Sequence, residues 1–195
     1  MYIPRHFEVS DEAEKMAFIE NNNFGQLISQ IDGRLFSTHI PFLLNKDRTR
    51  LLGHLARLNP QHEHIVGQEV LVTFQGAHDY ISPSWFTRPG VPTWNYQAVH
   101  VYGTCELINN ADGIADIVDA LTAKHETPFE DPWQPEYKTA MLNAIIGLQI
   151  NINEIQGKYK LSQNRPEQDQ KQIIENLTQL DSQDLADEME RNKQN

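Results

Sequence analysis

The stretch FGQLISQIDGRLFSTHIPFLL, residues 24–44, decides the fold class. Short apolar runs lie on either side of Asp32-Gly33, a dipeptide suited to a two-residue hairpin turn because both turn positions need positive φ. The reading is therefore an antiparallel pair of strands. Working outward, RLLGHLA (50–56) and EVLVTF (69–74) repeat the pattern, with punctuation at Asn45-Lys46-Asp47 and Asn59-Pro60. A longer strand follows in NYQAVHVYGTCELI, residues 95–108. Strands this short and this closely spaced predict an antiparallel meander that curls into a barrel, not a βαβ array.

Helices are expected at the edges of this sheet. Ser10 is placed to cap a helix whose first turn holds Asp11, Glu12 and Glu14, suited to the positive end of the dipole, and Asn21 to Gly25 stop it. Ile114, Ile117, Val118 and Leu121 fall on one helical face, which predicts a helix over 111–125 packed on the sheet. A second helix is expected after Pro135, carrying Tyr137, Met141, Leu142, Ile145 and Ile146. The alternation Leu148, Ile150, Ile152 then predicts a closing strand. The class is α+β, a mainly antiparallel β-barrel with peripheral helices.

Composition narrows the function classes. With 195 residues, 39% of them hydrophobic and 22% charged, the chain is long enough and apolar enough to bury one real core. Its net charge of −11 repels phosphate backbones, so direct DNA binding is disfavoured. One cysteine, Cys105, excludes an intrachain disulfide framework and any multi-cysteine metal site; it sits in a strand and reads as an inert core thiol. The N-terminus has no secretory pattern and no apolar run is long enough to span a membrane, so a cytoplasmic location is expected. Residues 167–195 carry eight acids and three bases without any aromatic residue. Ile173, Ile174, Leu177 and Leu180 make a helix over 168–180, docked on the body or on a partner subunit, and the chain is expected to fray from Asp181.

Four segments carry polar chemistry. GHLARLNPQ (53–61) sets His54, Arg57 and Asn59 at a strand end, where Arg57 meets either a phosphate or a neighbouring acid. DYISPSWF (79–86) holds Ser82 and Ser84 around Pro83, with Tyr80 and Trp85 placed to sandwich a planar ring or simply to pack. In TWNYQAVHVYG (93–103), Tyr96, Ala98, His100 and Tyr102 share one face, a barrel wall or a subunit interface, and Trp94 is a packing anchor or a ring contact. GKYKLSQNRP (157–166) is a basic patch of +3 in an acidic chain, either a solvated strand end or an anion site. His62-Glu63-His64 lacks the spacing of a helical metal motif, and there is no nucleophile elbow, P-loop or dinucleotide fingerprint.

Taken together, MYIPRHF, STHIPFLL, GHLARLNPQ, YISPSWF, VPTWNYQAVHVYG and GKYKLSQNRP resemble the PaiB family of FMN-binding negative transcriptional regulators. The similarity runs in order over residues 1 to 166, read as one FMN-binding domain, followed by the acidic segment 167–195. The resemblance implies a split barrel of the flavin-reductase and pyridoxamine-phosphate-oxidase type, FMN as cofactor, and a homodimer with flavin near the subunit interface. Carried over residue by residue, Arg57 would meet the FMN phosphate, and His54, Asn59, Trp94, Asn95 and Tyr96 the ring or ribityl chain. Lys158, Ser162 and Gln163 match the family's closing motif and would reach a flavin bound mainly by the other subunit. The leading expectation is a PaiB-type regulator, a flavin-based sensor of redox state or of a metabolite. The alternatives are an FMN-dependent oxidoreductase using NAD(P)H, and a haem-binding barrel with His54, His78 or His100 as axial ligand.

Overall fold

The structure, a computed structural model, describes residues 1–137 and 139–193. The strands, in chain order, are β1 (Glu8–Val9), β2 (Phe24–Ile31), β3 (Arg34–Pro41), β4 (Leu43–Leu44), β5 (Arg50–Ala56), β6 (Glu69–Ile81), β7 (Thr93–Ile108) and β8 (Ile145–Lys160). The helices are α1 (Glu12–Asn21), α2 (Gln61–His64), α3 (Ala111–Glu126), α4 (Thr139–Leu142), α5 (Glu167–Gln179) and α6 (Gln183–Lys193). One eight-stranded sheet runs in the order β3-β2-β6-β7-β8-β5-β4, with β1 paired to β8. The pairs β1–β8, β2–β3, β2–β6, β4–β5 and β5–β8 are antiparallel, and the class is α+β, as expected.

The chain divides into two compact units, one of residues 16–74 and 100–155, the other of residues 1–15, 75–99 and 156–195. In the first, the barrel unit, Asp32 and Gly33 both take positive φ (50° and 79°), and the hairpin they turn pairs Ile31 with Arg34 through to Phe24 with Pro41. The two ends of the sheet order, β3 and β4, are separated in the chain by Phe42 alone, and β4 pairs with β5 through Leu43–Leu52 and Leu44–Leu51. That bend carries the sheet back onto itself. Phe42 is fully buried, meets Phe74 edge-on at 5.8 Å, and donates its N–H to Asn23 O at 2.8 Å. Burial of Leu27, Leu51, Leu55, Val72, Val101 and Leu148 supplies the non-directional part of the stability. Helix α3 lays Ile114, Ile117 and Leu121 on this unit as its spacing predicts, capped by Asn110 Oδ1, which accepts from Gly113 N.

In the second, the terminal unit, β1 pairs Glu8 with Lys158 and Val9 with Gly157. Helix α5 buries Ile173, Ile174 and Leu177, whereas Leu180 is exposed. Two expectations are corrected. The segment beyond Asp181 is not frayed: Asp181 turns the chain at φ 63°, and α6 buries Leu185, Ala186 and Met189, a stripe at helical spacing within an acidic sequence. The helix expected after Pro135, part of which lies at residue 138 outside the described residues, is the single turn α4, and Ile145 and Ile146 begin β8. A short apolar run reads equally as helix or strand, and pairing of Ile145 with Ala56 and Ile146 with Leu55 decides it. Residues 194 and 195 of the acidic segment also lie outside the described residues. Cys105 is buried, as expected, and burial first, then the Glu106 carboxylate, push its thiol up to about 12.

Candidate functional site

The nine candidate residues separate by unit. Trp94, Asn95, Tyr96, Lys158, Ser162 and Gln163 belong to the terminal unit, and His54, Arg57 and Asn59 to the barrel unit. Each set is built differently.

In the terminal unit, β7 alternates Trp94 and Tyr96 on one face with Asn95 and Gln97 on the other. Trp94 is 53% exposed, and the His78 and Tyr80 rings lie 6.5 and 6.2 Å from it. β6 continues to Ile81 as a strand, so His78 and Tyr80, two residues apart, both meet Trp94. The Ser82 and Ser84 hydroxyls bond each other at 2.7 Å across the Pro83 turn. Lys158 is buried; its Nζ donates to Tyr2 O at 3.1 Å and stands 5.2 Å from the Tyr96 ring centroid. Lys160 Nζ donates to Thr93 Oγ1 and Trp94 O, and Arg165 stacks on Phe86 at 3.5 Å.

The electrostatics of this patch run against the chain's acidity. Burial, with the Lys158 and Arg165 charges beside it, pulls the Lys160 ammonium below its ordinary pKa. Asp169 answers Arg165 at 3.8 Å, and its carboxylate is held low chiefly by hydrogen bonds from the Thr87 hydroxyl and N–H, at 2.6 and 2.8 Å. Three clustered cations beside an open indole suit an anionic ligand that carries a planar ring.

Three polar candidates in this unit are engaged inside the chain. Asn95, fully buried, donates from Nδ2 to Ser162 Oγ at 3.0 Å and accepts the Ser162 hydroxyl at Oδ1 at 3.1 Å. Ser162 holds φ 65°, a left-handed conformation uncommon outside glycine and stabilised here by that pair. Gln163 closes the same turn, accepting from Leu161 N and donating to Tyr159 O.

In the barrel unit, Arg57 is exposed; its Nε and Nη2 donate to Asn143 O and Ile145 O, both at 2.9 Å. Asn59 donates to Thr38 Oγ1 at 2.9 Å and accepts from Gln61 N at 3.0 Å, within a network completed by the buried Gln61 amide on Leu27 O and Ser29 Oγ. His54 pairs across the sheet with Gly147, where a Cβ would stand 3.0 Å from Ile108 Cβ and 3.2 Å from Ile117 Cδ1, so α3 covers that position. Its Nδ1 is buried without a partner among the described residues, and burial lowers the ring's pKa. Among the described residues no cluster of three or more His, Cys, Asp or Glu is placed to hold a metal ion, and no helix is long and apolar enough to cross a membrane.

The sequence reading names His78 only as a candidate haem ligand, not as a neighbour of Trp94, and it missed Glu188 and Met189. The place of His78 beside Trp94 becomes legible once the strand is extended past Phe74; the other two needed the Leu185-Ala186-Met189 stripe to be read as a docked helix face.

Comparison with known proteins gives a consistent frame. Residues 1–154 match the family model described as "Putative FMN-binding domain". The chain is 40% identical over 185 residues to "Protease synthase and sporulation protein PAI 2" of Bacillus subtilis (strain 168), covering 91% of this chain and 89% of that one. Among solved structures, it resembles the flavocytochrome Anf3 of Azotobacter vinelandii at a TM-score of 0.66 and 15% identity, over 86% of this chain and 77% of that one. The FAD and haem binding protein of Mycobacterium smegmatis follows at a TM-score of 0.63 and 16% identity, over 78% and 73%. At these identities the structural likeness concerns the fold.

Proposed function

The chain belongs to the FMN-binding domain family, its cofactor class is FMN, and from that premise we propose that it is a PaiB-type regulator that senses redox state or a metabolite through its flavin. The observation that carries this reading is the terminal-unit patch: the open Trp94 ring with His78 and Tyr80, and the cluster of Lys158, Lys160 and Arg165. FMN brings a planar ring and a dianionic phosphate, which call for this pair of features. Bound isoalloxazine accepts and returns electrons, and the chain's residues hold and orient it.

Roles follow from the chemistry of each side chain and from what it already touches. Trp94 and Tyr96 offer ring faces, and Lys158 and Lys160 lie with Arg165 as one candidate phosphate anchor. Arg57 is the other; two of its N–H groups are fixed on backbone carbonyls, which orients the remainder. Asn59, Asn95, Ser162 and Gln163, engaged inside the chain, set strand and turn positions. The orphaned His54 Nδ1 is a buried acceptor or donor that a ligand would satisfy.

With a net charge of −11, regulation runs through a small molecule or a protein partner and not by direct contact with duplex DNA. The protein acts in the cytoplasm as a homodimer; Phe24, Leu35 and Leu58, 65%, 70% and 97% exposed, are apolar surface that a second copy would cover. A second reading, an oxidoreductase using NAD(P)H, draws support from Tyr80, exposed beside Trp94 as room for another ring. Flavin reduction by NAD(P)H in stopped flow would favour it.

The decisive experiment is the visible spectrum of the purified protein, followed by FMN and riboflavin titrations of variants. Removing the true phosphate anchor, by Lys160→Ala or Arg57→Ala, should weaken FMN by about 1.5–3 kcal/mol and leave riboflavin nearly unchanged. Trp94→Ala should weaken both. A colourless protein that fails to take up FMN would overturn the reading.

A further inference from the structure

The two faces of β7 at residues 94–97 have different audiences. Trp94 and Tyr96 face the candidate ligand side, whereas Asn95 and Gln97 are buried amides that must be hydrogen-bonded inside the protein. Their side-chain partners come from the C-terminal segment. Asn95 Nδ2 reaches Ser162 Oγ at 3.0 Å and Met189 Sδ at 3.4 Å, and Gln97 Nε2 donates to Glu188 Oε2 at 2.9 Å. Glu188 and Met189 are neighbours on α6, and Arg191 pairs with Glu188 from the following turn. The helix thus grips two successive inward amides of the strand whose outward residues are the ring contacts. Asp169 of α5 also holds Thr87 in the loop that leads into β7, so the helical pair fixes the strand and its approach.

We infer that α6 is the output element of the site: Glu188 and Met189 position the Trp94–Tyr96 strand, and occupancy of that strand's exposed face in turn stabilises α6. This rests on the flavin reading, which supplies the occupant. The coupling is reciprocal by linkage. If docking of α6 is needed to keep Asn95 and Gln97 satisfied, a ligand that binds the ordered strand more tightly than the loosened one must also favour docked α6. No change of backbone path is required, because ordering a strand already shared by both partners is sufficient. The exposed side of α6 then carries the state of the site to the protein surface, without any ligand contact of its own.

Hydrogen exchange on the full chain tests this in two arms. In the ligand-free protein, Glu188→Ala should speed exchange across residues 93–97, and Glu188→Gln, whose amide oxygen still accepts from Gln97, should restore most of the protection. Unchanged exchange at 93–97 in Glu188→Ala would overturn the positioning role whatever the flavin does. In the second arm, saturating FMN, followed by its absorbance, should slow exchange over residues 183–193 by at least about five-fold, the lower end for coupled sites. Failure of FMN to bind at all would sink the flavin reading and the output role with it. Bound FMN with no change at 183–193 would overturn the output role alone.

Discussion

Within β7, residues 95 and 97 turn amides into the interior, whereas residues 99, 101 and 105 turn Val, Val and Cys there. The backbone alternation is the same in both halves, so the strand geometry does not explain the difference. Apolar burial is non-directional and stabilises any arrangement that excludes water. A buried amide is satisfied by one arrangement of donors and acceptors, and costs free energy in every other. The half of the strand that carries Trp94 and Tyr96 is therefore fixed in place, and the half that follows is packed for stability.

Exchanging the two kinds of residue is the most direct way to break this comparison. Val101→Asn would lose apolar burial and install an amide among apolar neighbours, for a combined cost of about 3–4 kcal/mol in urea unfolding. A cost near zero would mean that the apolar half accepts polar groups as readily as the other. The reverse exchange should cost less: Asn95→Val leaves the Ser162 hydroxyl unpaired, a loss of about 1–3 kcal/mol. Adding Ser162→Ala to that variant should recover part of the loss, because both members of the pair are then apolar. A strictly additive double variant would show that the pair does not act as a unit.

A third and smaller effect sharpens the contrast in the barrel unit, where His54 carries a buried ring nitrogen without a partner among the described residues. Burial lowers its pKa from the ordinary 6.5, so the folded chain resists a proton that the unfolded chain accepts. Its contribution to stability is fully present above that value and is lost as pH falls below it. Unfolding midpoints should therefore decline as pH falls below 6.5, and His54→Leu should flatten part of that decline. An identical pH profile in the variant would assign the decline to other groups.

How much of this was legible in the sequence follows the same division. The β2–β3 hairpin was readable because Asp32-Gly33 fixes a turn chemically, and β5, the first half of β6 and β7 were readable because apolar residues mark them. The helix α3 appears within one residue of its expected end. What stayed hidden depends on partners far away in the chain. Ile145 and Ile146 become strand through β5, His78 joins Trp94 only once β6 is extended, and α6 is ordered because Leu185, Ala186 and Met189 find a surface to cover. For the site residues, the sequence offers side-chain chemistry and strand parity. It is silent on whether an amide such as Asn95 is spent on Ser162 or open to a ligand.

The position of β8 has a consequence for how the molecule is made. This strand pairs with β1 and with β5, so its partners leave the ribosome long before it does. The hairpin of β2 and β3 contains its own pairing and is complete early in synthesis, but the edges of β5 and β7 wait for a neighbour that arrives near the end. Pairings that distant make for slow, late-committing folding, with bare strand edges in the interval. Nascent chains that stall before residue 145 should therefore be the aggregation-prone form of this protein.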